Sequence, residues 1–247
     1  MKKTLCIFFV FLCSTAQAAT CKCRLKPRHC GWWYYQCCNT NCHNSCNNNG
    51  NQQCNPGNNN NNTGVDENGC PFGWTFRTRP SGGFCFNVFA GTMTQPEAVA
   101  SCQKHSAFLA GVQDQQELTL FTERATQVIR QSGYSSGGIW IGGTRKSECR
   151  TTSNIPAQCF PVTKQAFVWN DNMVTGVDGF IFRDGQPDNN MGNQNCLYLL
   201  GGNPSNDIWG TWNPGTMDDE KCDYTLNDRN MGRSIRGYVC GIRSRTK

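Results

Sequence analysis

The sequence predicts an α+β fold with two helices, small antiparallel sheets and a long irregular loop region, held together by disulfides. Two segments combine capping signals with apolar residues at helical spacing, which predicts the helices. Short apolar runs bounded by glycine, asparagine or proline predict the strands. Many cysteines in a chain with an export signal predict the disulfides.

Residues 1–18 have the pattern of a secretory signal peptide. The basic start Met1-Lys2-Lys3 precedes an apolar run from Leu5 to Leu12, and Ala16-Gln17-Ala18 supplies an A-x-A cleavage pattern. The alternative interpretation is a buried N-terminal helix. The apolar run is too short to span a bilayer, and no later segment is apolar enough. We therefore expect a secreted, extracellular protein without a transmembrane segment.

Three further segments differ in composition. Residues 19–46 are a cysteine-rich segment with seven cysteines and an aromatic cluster at 32–35, which either forms a small core between bridges or contacts a partner. Residues 47–64 are an asparagine-rich linker, since ten of residues 47–62 are asparagine. Its Asn61-Asn62-Thr63 sequon makes Asn61 the expected glycosylation site. Residues 65–247 have the composition of a folded domain.

Loss of Cys6 and Cys13 with the signal peptide leaves 16 of the 18 cysteines. An even count in a secreted chain favours disulfides over metal thiolates, because export exposes thiols to oxidation. Residues 65–247 carry 17 basic and 17 acidic side chains, so charge gives no indication of a nucleic-acid partner.

The two helices of the main domain have clear start signals. Thr94-Gln95-Pro96-Glu97 is a capping box that opens a helix through about Ser106. The second helix starts near Asp114 and ends at Gly133. Between about 143 and 195 little regular structure is predicted, and such a long connection is usually functional. The predicted strands are 139–143, 167–169, 196–200 and 237–240.

No catalytic motif is present. The three histidines are His29, His43 and His105, and none belongs to a Ser-His-Asp pattern, an H-E-x-x-H run or a phosphate loop. Asp218 and Asp219 could form a catalytic pair of carboxylates, but the sequence offers them no acid-base partner. We therefore do not expect an enzyme.

An ordered set of motifs resembles the long form of the C-type lectin-like domain over about residues 70–241. The set consists of Cys70-Pro71-Phe72-Gly73-Trp74, Cys102, Trp140-Ile141-Gly142-Gly143, Gln186-Pro187-Asp188, Cys196, Cys222 and Cys240. The resemblance implies the disulfides Cys102–Cys240, Cys196–Cys222 and Cys70–Cys85, and it leaves Cys149 and Cys159 as a fourth pair inside the long loop region.

The resemblance also implies one calcium ion held by side chains that flank a cis proline and precede two cysteines. The corresponding residues are Gln186, Asp188, Gln194, Asp218 and Asp219. Gln194 stands where the family usually has Glu, and Asp218 stands where it usually has Asn. Three carboxylates remain, so the ligand charge is preserved. Asn189 and Asn195 stand where acids of an auxiliary site are expected, so no second ion is predicted.

The function implied by the resemblance is calcium-dependent binding of cell-surface or microbial glycans, as in innate immunity. Sugar contacts are implied for Gln186, Asp188, Gln194 and Asp218, and the Gln-Pro-Asp motif suggests galactose-type sugars. Trp209 or Trp212 either supplies a stacking face or lies in the core. The alternative is a calcium-independent adhesion or structural protein that binds protein through the same scaffold. No heptad or collagen repeat indicates an oligomer.

Overall fold

A computed structural model describes residues 64–151, 153–160, 164–226 and 232–245 in full, and residues 24–27 and 33–36 as backbone strands. By its contacts the chain divides into two units, Met1–Asn62 and Thr63–Lys247. The expected signal peptide, the bridges of the cysteine-rich segment and the glycosylation acceptor Asn61 lie outside the described residues, as does nearly all of the asparagine-rich linker.

In the first unit the described backbone forms a hairpin. Strand β1 (Arg24–Pro27) pairs with strand β2 (Trp33–Gln36) in antiparallel register, with Arg24 opposite Gln36.

The second unit is an α+β fold with the two expected helices. Its elements in chain order are β3 (Thr75–Arg79), β4 (Gly82–Ala90), α1 (Gln95–Gln103), β5 (Phe108–Leu109), α2 (Gln115–Gln131), β6 (Ser136–Arg145), β7 (Phe167–Trp169), β8 (Cys196–Gly202), β9 (Ser205–Asp207), β10 (Gly210–Trp212), β11 (Met217–Glu220) and β12 (Ile235–Arg243). Apart from β7 and an isolated bridge at Phe182, the described part of the long connection from β6 to β8 contains only short 3₁₀ turns and irregular backbone.

One mixed sheet dominates this unit. Its described strands follow the order β11-β8-β6-β12-β4-β3, with β5 added to β12 and β7 added to β6. Strands β6 and β12 run parallel, whereas the other pairs are antiparallel. The sheet is therefore larger than the small antiparallel sheets that the sequence predicts. Strands β9 and β10 form a separate hairpin.

Both helices begin at the predicted capping residues. In α1 the Thr94 hydroxyl accepts the Glu97 N–H, and the Glu97 carboxylate accepts the Thr94 N–H at 2.8 Å. In α2 the Asp114 carboxylate accepts the Glu117 N–H at 2.8 Å. Each helix buries one stripe of apolar side chains, namely Ala98, Cys102, Leu118, Phe121, Ala125 and Ile129.

Among the described residues, four disulfides join the four expected pairs. They are Cys70–Cys85, Cys102–Cys240, Cys149–Cys159 and Cys196–Cys222. The second connects α1 to β12, and the fourth connects the start of β8 to the residues after β11. Each bridge restricts the unfolded chain and contributes typically about 2–4 kcal/mol to stability.

A buried ionic network connects β3 and α2 to the part of the long connection that follows β7. The Arg79 guanidinium donates to the Glu117 carboxylate at 2.5 and 2.9 Å and to the Asp171 carboxylate at 2.9 Å. All three side chains are fully or almost fully buried. Burial raises the pKa of Glu117, and the contacts with Arg79 act in the opposite direction.

The two ends of the second unit lie together. The Arg245 N–H donates to the Gly69 carbonyl at 2.9 Å, and the Ser244 hydroxyl donates to the Asn68 carbonyl. Among the described residues, no helix has both the length and the apolar character needed to cross a membrane.

Candidate functional site

The candidate site lies where the long connection returns to the edge of the sheet. Residues 181–183 run beside β11, where the Met217 N–H donates to the Ile181 carbonyl at 2.8 Å and the Arg183 N–H donates to the Met217 carbonyl at 3.1 Å. Phe182 and Met217 form a parallel bridge. This pairing places the Gln186-Pro187-Asp188 turn next to the acidic residues of β11.

The Gln186–Pro187 peptide bond is cis, as the resemblance implies. The Gln186 side-chain oxygen accepts the Asp188 N–H at 2.8 Å, and the Asp188 carboxylate accepts the Asn190 N–H at 3.0 Å. Pro187 is buried, whereas Asp188 is exposed. Both polar side chains therefore cap the backbone of their own turn.

Asp219 of β11 accepts hydrogen bonds from the backbone of this turn. One of its carboxylate oxygens accepts the Asp188 N–H at 3.1 Å, and the other accepts the Asn189 N–H at 3.0 Å. The Gln194 side-chain oxygen accepts the Asn190 N–H at 2.6 Å. Four of the five predicted ligands, namely Gln186, Asp188, Gln194 and Asp219, are thus brought together.

Arg145, the last residue of β6, completes this cluster. Its Nη2 donates to the Asp219 Oδ2 at 2.5 Å, and its Nε donates to the Gln194 backbone carbonyl at 2.9 Å. The guanidinium also lies 4.5 Å from the centre of the Phe167 ring. Burial lowers the pKa of Arg145, and the same cause raises the pKa of Asp219 to about 6 although Arg145 opposes that shift.

Asp218 contacts a different set of groups. Its Oδ2 lies 3.5 Å from Arg183 Nη1 and 3.4 Å from the Tyr198 hydroxyl. Burial, followed by the negative charge of Asp219, raises the pKa of Asp218 to about 8. The Arg183 guanidinium also stacks over the Trp212 ring at 4.0 Å. The structure therefore places Asp218 against Arg183 and Tyr198 instead of in the turn cluster.

As arranged, these residues do not fit a calcium ion. Calcium requires six to eight oxygens that converge on one point, but here the oxygens accept backbone N–H groups and the Asp219 carboxylate is paired with Arg145. Within the described ranges, no group of three or more His, Cys, Asp or Glu side chains could hold a metal. The calcium site stays a prediction from the resemblance.

Arg145 and Arg183 are the residues that sequence reasoning missed. Each is a lone arginine whose partner lies far along the chain, 74 residues for Arg145 and 35 residues for Arg183. The available signal was the position of Arg145 at the end of an apolar, glycine-rich strand, where a charged side chain needs a buried partner.

A cleft of about 300 Å³ separates the long connection from the β9–β10 hairpin. Its lining residues are Phe182, Arg183, Asp184, Thr211, Asn213 and Thr216. In the turn of this hairpin, Ile208 is 87% exposed and Trp209 is 57% exposed, whereas Trp212 is buried. Of the two tryptophans considered for stacking on a sugar, only Trp209 has an accessible face.

The fold and the four disulfides define the C-type lectin-like class. The family model described as "C-type lectin domain-containing protein 141/158" matches residues 77–243, and the chain belongs to this family. Among curated relatives, a C-type lectin of the lectoxin type from Thrasops jacksonii is 24% identical over 176 residues, covering 70% of this chain and 84% of the relative. A C-type lectin of Cerberus rynchops is 26% identical over 139 residues, covering 56% and 72% respectively.

Solved structures with a related fold include two different kinds of protein. The cow CD23 carbohydrate-recognition domain, determined with a GlcNAc2Man3 oligosaccharide, is 18% identical with a TM-score of 0.46, over 72% of this chain and 99% of that one. A calcium-independent type II antifreeze protein is 19% identical with a TM-score of 0.43, over 71% of this chain and 95% of that one.

Proposed function

We propose that this protein is a secreted carbohydrate-binding protein that recognises cell-surface or microbial glycans. The observation that carries the proposal is the cleft between the long connection and the β9–β10 hairpin. Its walls offer hydroxyls, an amide, a carboxylate and a guanidinium, and Trp209 lies exposed on the adjoining turn. Saccharides need this combination, because polar groups bind their hydroxyls and an aromatic face covers their apolar side.

The exposed residues define where a sugar can bind. Asp218 and Asp219 are almost fully buried and paired with arginines, so they stabilise the site and are not accessible to a sugar. Asp184 and Asp188 are exposed, and Gln186 between them is half-buried. We therefore place the saccharide along residues 184–188 and in the adjoining cleft. Galactose-type sugars remain the first candidates because of the Gln-Pro-Asp motif.

Secretion is supported by the disulfides and by the signal-peptide pattern. Four bridges within 65–247 suit an oxidising compartment. One shallow site binds a monosaccharide weakly, so avidity would come from several copies on one surface. Binding, without catalysis, is the expected activity.

The experiment compares glycan retention by the full chain and two variants. We expect the parent protein to be retained on an array that includes galactose-terminated glycans. Trp209→Ala should weaken retention by up to about tenfold, because it removes the aromatic face. Asp178→Asn is the matched control, since Asp178 is an exposed acid of the same connection outside the cleft, and it should bind as the parent does. A parent protein that retains no glycan refutes the proposal.

A second candidate is protein binding through the same scaffold. The observation that favours it is the exposed Ile208–Trp209 turn, because large apolar side chains at a turn often contact a partner. Free saccharide separates the two candidates. Competition by millimolar sugar indicates glycan binding, whereas a partner interaction that resists sugar and weakens in Ile208→Ser indicates protein binding.

A further inference from the structure

We propose that the Arg145 guanidinium takes the place of the calcium ion in the turn cluster, so that the site is held together without metal. The inference deepens the proposed function, and only its ligand-binding readout rests on that function. It starts from the disagreement between the five ligands implied by the family resemblance and the arrangement of the same residues here.

Arg145 contacts two of the three segments that the implied ion would connect, and Asp219 links it to the third. It belongs to β6, its Nε donates to the Gln194 carbonyl at 2.9 Å, and its Nη2 donates to Asp219 of β11 at 2.5 Å. Its backbone N–H donates to the Asn195 carbonyl at 2.8 Å. Asp219 in turn accepts the N–H groups of 188 and 189. Asp219 therefore fixes the cis-proline turn to the sheet, and Arg145 joins Asp219 to the 194–195 segment.

The Arg145–Asp219 ion pair is buried, unlike a surface salt bridge whose two partners are solvated. The side chains of Arg145 and Asp219 are 1% and 0% exposed, and the Phe167 ring packs against the guanidinium. Removing either partner would leave an uncompensated buried charge, which is strongly unfavourable. An incoming divalent ion would have to displace a fixed cation, or bind beside it against electrostatic repulsion.

The ion pairs of β11 also support the proposal that an arginine takes the place of calcium. Its three acidic residues are buried, and each lies within ion-pair distance of an arginine, although Arg233 is shared between Glu220 and Asp207. The pairs are Asp218 with Arg183 at 3.5 Å, Asp219 with Arg145 at 2.5 Å and Glu220 with Arg233 at 3.7 Å. Only Asp188 of the predicted carboxylate ligands has no arginine within ion-pair distance in the described part of the chain. One exposed carboxylate is a poor calcium ligand set, because affinity follows the number of charged ligands.

The test measures calcium binding by the full chain without any saccharide, so it can be read whether or not the protein binds glycans. Terbium luminescence sensitised by tryptophan reports ion binding, and the melting temperature is compared in 5 mM calcium and in EDTA. We expect no sensitised luminescence and no shift of the melting temperature beyond about 1 °C, because an ion that binds only the native state would raise it. In the glycan assay, EDTA should leave retention unchanged.

The variant Arg145→Gln keeps a hydrogen-bond donor but removes the positive charge. It should gain terbium luminescence and a calcium-dependent rise of melting temperature, whereas Arg124→Gln, an exposed arginine on α2, should behave as the parent does. Arg145→Met provides a second uncharged variant. A folded uncharged variant that fails to respond to either ion overturns the proposal. A parent protein that binds terbium or is stabilised by calcium overturns it directly, and this measurement decides the matter even if neither variant folds.

Discussion

Asp218→Asn offers the sharpest test of the electrostatics described above. Asp218 is a buried carboxyl on β11 whose pKa is raised to about 8, first by burial and then by the charge of Asp219. Its Oδ2 lies 3.5 Å from Arg183. The substitution keeps the size of the side chain but removes its ionisation. We expect the variant to be more stable than the parent at neutral pH.

The expected gain in stability follows from the linkage between proton binding and folding. The folded carboxyl keeps its proton up to about pH 8, whereas the unfolded one loses it near 3.8, so the folded state binds more protons between these values. Stability from this group is therefore fully present on the acid side and falls as pH rises through that window. The upper limit at pH 7 is on the order of 4 kcal/mol. The amide nitrogen cannot accept a hydrogen bond, so the variant loses one of two contacts, the one from the Asp219 N–H or the one from Arg183. A donor left without its acceptor costs about 1–3 kcal/mol, and we therefore expect a net gain of about 1–3 kcal/mol.

Urea denaturation at pH 5, 7 and 8.5, followed by tryptophan fluorescence, gives the measurement. The gain of Asp218→Asn over the parent should grow from pH 5 to pH 8.5. Asp178→Asn, which replaces an exposed acid, should match the parent at every pH. An Asp218→Asn protein whose stability relative to the parent is unchanged across this range would refute the reasoning.

Two further changes test the scaffold. Arg79→Met removes the cation of a buried ionic network and should lower the free energy of unfolding by about 3–5 kcal/mol in urea denaturation, and a loss below about 1 kcal/mol would contradict the burial of Glu117 and Asp171. The double substitution Cys149→Ser and Cys159→Ser opens a bridge with a sequence separation of 10 residues. It should cost about 2–3 kcal/mol while calorimetry still records one cooperative transition, and loss of cooperative unfolding would show a larger role.

The helices were predictable because their signals are local. The capping box at Thr94 and the cap at Asp114 lie within four residues of their partners, and the apolar stripe of α2 repeats at helical spacing. The sheet was harder to predict. Strand β11 carries three acidic residues in four positions, a composition typical of an exposed loop, and all three contact arginines from distant segments.

At the candidate site, the geometry of the Gln186-Pro187-Asp188 turn was predictable from the sequence, whereas the ion pairs with Arg145 and Arg183 were not. The cis bond before Pro187 and the closeness of Asp188 to Asp219 follow from the family motif and its spacing. The position of Arg145 on Asp219 depends on β6 and β11 lying on either side of β8, which no local pattern encodes. The count of carboxylates in the sequence indicated an unchanged charge around the predicted ion. It could not reveal the arginines that pair with those carboxylates.

The hydrogen bonds between 68–69 and 244–245 close the lectin unit into a loop of chain whose two ends meet. A short peptide linker could join these ends, and new termini could be opened at an exposed turn such as 153–154 between β6 and β7. Such a circularly permuted protein should keep its sheet, because no strand pairing would be cut. The same geometry makes the unit suitable for insertion as a whole into a surface turn of another protein.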